Sequence, residues 1–158
     1  PSEKKLGDGD ILIIDTGSTL NGYYCDFDRN FGFGNINQKS LDAYNKLWDA
    51  TEKTLEIIKP GISCKEVYES LSKNLFSSNV KSNVGRMGHG FGLQLTEPPS
   101  IMIDDNTILE KNMILALEPS IEIENDLMLV HEENILITQN GNRLLTSRTP
   151  KELPVINV

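Results

Sequence analysis

The sequence predicts an α+β fold built on a mostly antiparallel sheet. Three observations carry this reading: a strand pair around an Asn-Gly turn, two helical patterns in succession, and a run of further strands.

The elements follow in chain order. "DILIID", residues 10–15, reads as a buried strand, with four consecutive aliphatics after a Gly-Asp turn signal. "YYCDFDRNFGF", residues 23–33, alternates and is aromatic-rich, as a second strand would be. Asn21-Gly22 lies between them and is a strong hairpin signal. From about Lys39 to Ile58, Leu41, Tyr44, Leu47, Trp48, Thr51, Leu55 and Ile58 recur at helical steps. Asn37 or Ser40 can cap this helix, and Pro60-Gly61 stops it. A second helix is expected over Lys65–Phe76. Ser63 is its N-cap, Glu66 completes a capping box, and Val67, Leu71 and Leu75 form its stripe. "SNVGRMGHGFGLQLTEPPS", residues 82–100, reads as a glycine-rich loop beside a short strand. "MILALEPSIEI" and "LMLVHEENILIT" read as strands separated by "END". "QNG" is the next turn, "RLLT" a last short strand, and the proline-bearing tail is extended.

At 158 residues the chain is long enough for one domain with a real core. The net charge of −8 argues against a nucleic-acid partner, because phosphates need basic groups. No apolar run approaches the roughly 20 residues that span a bilayer, so no membrane partner is expected. Cys25 and Cys64 are far apart and in no metal-type spacing. They read as free thiols, packing residues in a reducing compartment, and point to the cytoplasm.

The chemistry lies in carboxylates that interrupt apolar strands. Asp15 ends "ILIID", Glu118 interrupts "ILALEPSI", and Glu132 interrupts "LVHEENILI". Burying an unpaired carboxylate costs several kcal/mol or forces its protonation. A divalent cation would remove both that cost and the mutual repulsion. With a two-residue turn, Asp15, Asp26 and Asp28 all point to one side of the hairpin. Glu132 and Glu133 point to opposite faces, so only one of them can join such a site. His89, in "GHGFG", is the remaining candidate, with glycines on both sides that allow close backbone approach. Four carboxylates and one imidazole suit two divalent ions, manganese first, with cobalt, iron or zinc as alternatives. Each feature alone has a plainer reading. A lone "GHG" suits a loop, acids near strand ends are usually solvated, and Glu132-Glu133 could guard a sheet edge. His131, on the face of Glu133, reads as a satisfied structural histidine, and the helix stripe with Trp48 as core.

Taken together, the motifs resemble those of the creatinase, prolidase and methionine aminopeptidase family, the pita-bread metallohydrolases. "DTG" supplies Asp15, and "YYCDFDR" supplies Asp26 eleven residues later. "MGHGFG" supplies His89, "ALEPSI" Glu118, and "EENILITQNG" selects Glu132 over Glu133. The resemblance implies a dinuclear centre on a curved, mostly antiparallel sheet with flanking helices. In it Asp15 holds one ion, Asp26 and Glu132 bridge, and His89 and Glu118 hold the other. It also implies a metal-bridging hydroxide as nucleophile, with Glu118 moving the proton toward the leaving amine. The implied activity is that of an aminopeptidase P-like, Xaa-Pro-cleaving metallopeptidase, a homodimer acting on a peptide or small amide. Asp26→Ala or Glu132→Ala should abolish activity, whereas Glu133→Ala should be mild.

The chain departs from the family at two places. Thr96 stands where a second histidine is usual, in "QLTEPPS", which favours a small-molecule hydrolase of the ectoine hydrolase or creatinase type as the alternative. Thr96 and Glu97 are then expected beside the substrate. Asp28 replaces a usual Thr or Ser, so a supporting or substrate-side role is expected for it. A catalytically inactive protein-binding module on the same fold is a further alternative, disfavoured by the complete ligand set. Residues 1–158 are expected to be the C-terminal portion of a single catalytic domain, because they open just before the first metal aspartate.

Overall fold

The structure, a computed structural model, describes residues 3–76, 85–124 and 127–157. The turn expected at 125–126, the first residues of the glycine-rich segment (82–84) and residue 158 lie outside the described residues.

Strands β1 (Ile11–Leu20) and β2 (Tyr23–Phe33) form one long antiparallel hairpin. Leu20 faces Tyr23, so the loop is the two-residue Asn21-Gly22 turn. Both turn residues take positive φ, 53° and 86°, the conformation that a tight hairpin turn favours and Asn-Gly tolerates. β1 runs five residues past "DILIID" because the ladder with β2 continues to the turn. It is also less covered than its composition implies: Ile11–Ile13 are half-buried and Ile14 is 45% exposed. The hairpin gains a third strand from the tail, β10 (Val155–Ile156), which lies parallel to β2.

Helix α1 (Gln38–Ile57) is capped by Asn37, whose Oδ1 accepts from the Ser40 amide at 3.0 Å. Ser40 is therefore a buried first-turn residue and not the cap. Helix α2 (Cys64–Leu75) carries the expected capping box, with Ser63 and Glu66 satisfying each other's amides. The two helices pack together and share one core with the strands that follow. Tyr44, Leu47, Val67, Leu71 and Leu75 meet Leu115, Leu117, Leu129, Ile135 and Ile137 there. Trp48 sits at the margin of this core, half-buried, with Nε1 donating to the Thr149 carbonyl at 2.9 Å.

The remaining strands are β3 (Gly88–Gly90), β4 (Glu97–Ser100), β5 (Ile114–Leu117), β6 (Ser120–Glu124), β7 (Leu127–Val130), β8 (Glu133–Ile137) and β9 (Asn142–Leu144). The glycine-rich "loop" thus contains two paired strands. A five-stranded antiparallel sheet has the order β4-β3-β5-β8-β9, and β6 pairs with β7 separately. The long strand expected at 113–123 breaks at Glu118-Pro119, since proline has no N–H to continue the ladder. Its partner breaks opposite, at His131-Glu132, and the His131 amide bonds the Pro119 carbonyl across the corner at 3.1 Å. Glu118 and Glu132 therefore stand at a corner between ladders and not inside strands.

No ladder joins β2 to the 130–134 segment. Side chains do so instead. Arg29 Nη1 donates to the Glu132 carbonyl (2.8 Å), Asn30 Nδ2 to the Val130 carbonyl (2.5 Å), and Asn134 Nδ2 to the Asp26 carbonyl (2.5 Å).

The glycines flanking His89 serve strand packing. A Cβ on Gly88 would clash with the Ala116 carbonyl oxygen, and one on Gly90 would lie 2.5 Å from the Pro98 carbonyl oxygen. Gly90→Ala should therefore pry β3 from β4 and destabilise the protein by about 1–3 kcal/mol. A denaturant titration of the full-length protein checks this, with Gly85→Ala, which has open space around it, as the near-neutral reference.

Candidate metal centre

The hairpin register puts Asp15 opposite Asp28 and Gly17 opposite Asp26, so the three aspartates share one face. Glu118 and Glu132 reach the same space from the corner, and His89 reaches it from β3. Oxygens of Asp15, Asp26 and Glu132 all lie within 4.8 Å of one another. His89 Nε2 is 3.5 Å from Asp26 Oδ2 and 3.8 Å from Glu118 Oε1. The other ring nitrogen, Nδ1, is 2.9 Å from the Gly90 carbonyl. Nδ1 donates to that carbonyl, which leaves Nε2 as the nitrogen facing the carboxylates. The structure thus brings together all five residues singled out as ligands.

Their electrostatics are those of a crowded, partly buried acidic site. Burial, then the neighbouring Asp26, Asp28, Glu118 and Asp15, push the Glu132 carboxyl up to about 9. Burial, then Asp15, push Asp28 up to about 8. Asp26 is raised as well, chiefly by burial. Glu132 Oε1 and Asp28 Oδ1 are buried with no hydrogen-bond partner among the described residues. Orphaned carboxylate oxygens beside a presented imidazole nitrogen fit hard-to-borderline divalent cations, which would satisfy those oxygens and relieve the repulsion.

A cleft of 320 Å³ opens onto this cluster, lined by Asp15, Asp28, Arg86, Glu118 and the apolar Ile13, Met128 and Val130. Asp28 is 4% exposed and faces the cleft, as a substrate-side residue would. Thr96 and Glu97 do not line it. Thr96 is exposed, and Glu97 closes its own loop by accepting from the Gln94 amide at 3.1 Å. Arg86 was not singled out from the sequence, yet its Nη2 lies 3.2 Å from Glu118 Oε1. Its only signal was its place three residues before His89.

A profile of metallopeptidase family M24 matches residues 1–139. The chain belongs to metallopeptidase family M24. The Xaa-Pro dipeptidase of Pyrococcus horikoshii is 34% identical over 154 residues, which is 96% of this chain and 43% of that protein. The crystal structure of a dipeptidase from Pyrococcus horikoshii OT3 superposes with a TM-score of 0.91 at 29% identity, covering 99% of this chain and 44% of that one. The prolidase of Pyrococcus furiosus superposes with a TM-score of 0.88 at 31% identity, covering 94% and 44%. The M24 chain described here spans less than half the length of these relatives. Its fold is the pita-bread α+β fold that the motifs implied.

Around this M24 site several plainer expectations change. β8 is flanked by β5 and β9, so Glu132-Glu133 guards no edge. Glu133 is fully buried, and its Oε1 accepts from Arg148 Nη1 and from the Thr149 amide, both at 2.8 Å. Whatever its effect on activity, Glu133→Ala takes the buried acceptor from Arg148 Nη1 and from the Thr149 amide, and should cost about 3–5 kcal/mol of stability in a denaturant titration. His131 is buried edge-on against Tyr44, centroids 4.4 Å apart, and neither ring nitrogen has a partner among the described residues. It is structural but not satisfied. Burial, then Arg148 and Arg29, hold it neutral, down to about 3. Cys64 is buried packing, whereas Cys25 is exposed.

The raised carboxyls make a signed pH prediction. Their folded-state values lie above the ordinary 4.5 and 3.8, so the stability they contribute is full below those values. It is lost as pH climbs through about 8 and 9. Chelator-treated full-length protein should thus lose thermal stability between about pH 5 and pH 9. Saturating Mn²⁺ should flatten or reverse the trend, because the cation binds the ionised forms. Parallel pH slopes with and without Mn²⁺, in thermal unfolding scans, would contradict this.

Proposed function

We propose that the full-length protein is a metal-dependent peptidase that cleaves the bond before proline in short peptides. The observation that carries this reading is the convergence of Asp15, Asp26, Glu132, His89 and Glu118 in an M24 chain. In this reading Asp15, Asp26, Glu132, His89 and Glu118 would together hold two divalent ions. The all-oxygen character of four of the five donors favours manganese. Bound there, the ions would supply electrophilic activation of the scissile carbonyl and a nucleophile at neutral pH.

The chain's own residues do the rest. The Gly90 carbonyl fixes the His89 tautomer and so keeps Nε2 on the site. Glu118 Oε1, half-exposed at the cleft, is placed to carry the proton to the leaving amine. Arg86 Nη2, 3.2 Å from that oxygen, holds the carboxyl at the mouth of the cleft. Ile13, Met128 and Val130 give the cleft an apolar wall against which a proline ring can pack.

The peptidase names of the relatives support a peptide substrate over an ectoine- or creatine-type amide, although Thr96 brings no imidazole to the carbonyl. The complete donor set speaks against an inactive binding module. Free thiols at Cys25 and Cys64 accord with a cytoplasmic setting, and a homodimer remains part of the proposal.

The test is hydrolysis of Xaa-Pro dipeptides by full-length protein reconstituted with Mn²⁺. Glu118→Gln should keep the fold and lower kcat by about 10²–10⁴-fold. Glu132→Ala should abolish both metal uptake and turnover. Turnover that survives exhaustive metal removal, or a Glu132→Ala variant that still turns over, would refute the reading.

A further inference from the structure

Asp26 lies on β2 and Glu132 at the corner between β7 and β8, and among the described residues no backbone ladder joins the two. What joins them is a reciprocal pair of side-chain clips. Arg29, on the hairpin side, donates to the carbonyl of Glu132 itself at 2.8 Å. Asn134, on the other side, donates to the carbonyl of Asp26 itself at 2.5 Å. Each clip grips the main chain of the opposite ligand residue. A carbonyl is directly bonded to its residue's Cα, so moving it moves the carboxylate. We infer that Arg29 and Asn134 are positioning residues that set the separation of Asp26 and Glu132, and with it the affinity for divalent metal. The inference rests on the metal reading proposed above.

Arginine suits the task for a geometric reason. Arg29 Nη1 reaches the carbonyls of Asp28 (2.6 Å) and Glu132 (2.8 Å), while Nη2 reaches that of Ser147 (2.7 Å). Its Cζ also lies 3.9 Å from the centre of the Phe27 ring. Three carbonyls from three chain segments are thus held by one rigid planar group. A lysine ammonium carries the same charge but cannot present that fork. Arg148 provides the contrast. Both arginines pair with the buried Glu133, Arg29 at 3.9 Å and Arg148 at 2.8 Å, and Arg148 also touches Glu52 and the Trp48 carbonyl. None of the bonds found for it goes to the main chain of a ligand residue. A role in charge balance or general stability is open to both arginines, and the clip only to Arg29. Metal binding needs Asp26 and Glu132 both ionised, and the two then repel, so slack in the clips widens the site and weakens capture.

The experiment compares Arg29→Lys, Asn134→Ala and Arg148→Lys in the full-length protein. Mn²⁺ affinity is read by calorimetry, the visible absorption of the Co²⁺-loaded form reports ligand geometry, and stability comes from denaturant unfolding. Arg29→Lys and Asn134→Ala should each weaken the tighter Mn²⁺ step by about 10–100-fold and alter the Co²⁺ spectrum. Arg148→Lys should lower stability while leaving affinity within about twofold and the spectrum unchanged. Asn134→Ala carries the test if Arg29→Lys does not fold. Wild-type-like affinity in the two clip variants overturns the inference alone. So does a loss of affinity that tracks stability across all three variants. Wild-type protein that takes up no divalent ion overturns the metal reading and the inference together.

Discussion

Carboxylates gathered around one imidazole repel one another, and the fold has to hold them in place until a cation does. That constraint orders the rest of the structure. Oxygens of Asp15, Asp26 and Glu132 are kept within 4.8 Å, with Asp28 and Glu118 close enough to raise the Glu132 carboxyl further. The backbone ladder supplies half of the restraint, since β1 and β2 fix Asp15, Asp26 and Asp28 in one register. Buried side-chain donors supply the other half, along the seam where β2 meets the 130–134 segment. Behind that seam the buried Glu133 is paired with Arg148 and the Thr149 amide, so the acid pointing away from the site anchors the strand that carries the acid pointing into it.

The corner at Glu118-Pro119 and His131-Glu132 is the second device. A carboxylate in an unbroken ladder has its main chain committed on both sides, and its side chain is confined to one face. At a break the chain turns, and two acids from neighbouring strands swing into one space. Proline makes the break obligatory on one strand, and the partner follows because its own ladder ends there. The cleft is therefore built where secondary structure fails in register on two strands at once.

Much of this was legible in the residues. The hairpin and its turn followed from Asn21-Gly22, both helices from apolar periodicity and caps, and the shared face of the aspartates from an even-numbered turn. The order of the five donors was enough to indicate the family. Less legible were features that depend on distant neighbours. "DILIID" reads as fully buried, because composition reports what a strand can bury and not what covers it. Glu133 reads as expendable because its partner Arg148 lies fifteen residues away, in a tail whose path has no local signal. The glycines around His89 read as making room for a ligand, whereas they make room for strands β4 and β5.

The sequence by itself determined the strand pair, the helix pair, the acids and histidine that carry the family motifs, and the family. These depend on residue type and short spacing, which a linear chain displays directly. Only the tertiary structure decided that Glu118 and Glu132 meet at a broken corner and that Arg86 sits on Glu118. It alone decided that Arg29 and Asn134 tie the hairpin to the corner that carries Glu132. Those contacts join residues 32, 103 and 108 positions apart, and nothing in the local sequence of either partner encodes the distance between them. It is set by how the helices and sheets pack around the common core, and the acidic cluster inherits its dimensions from that packing.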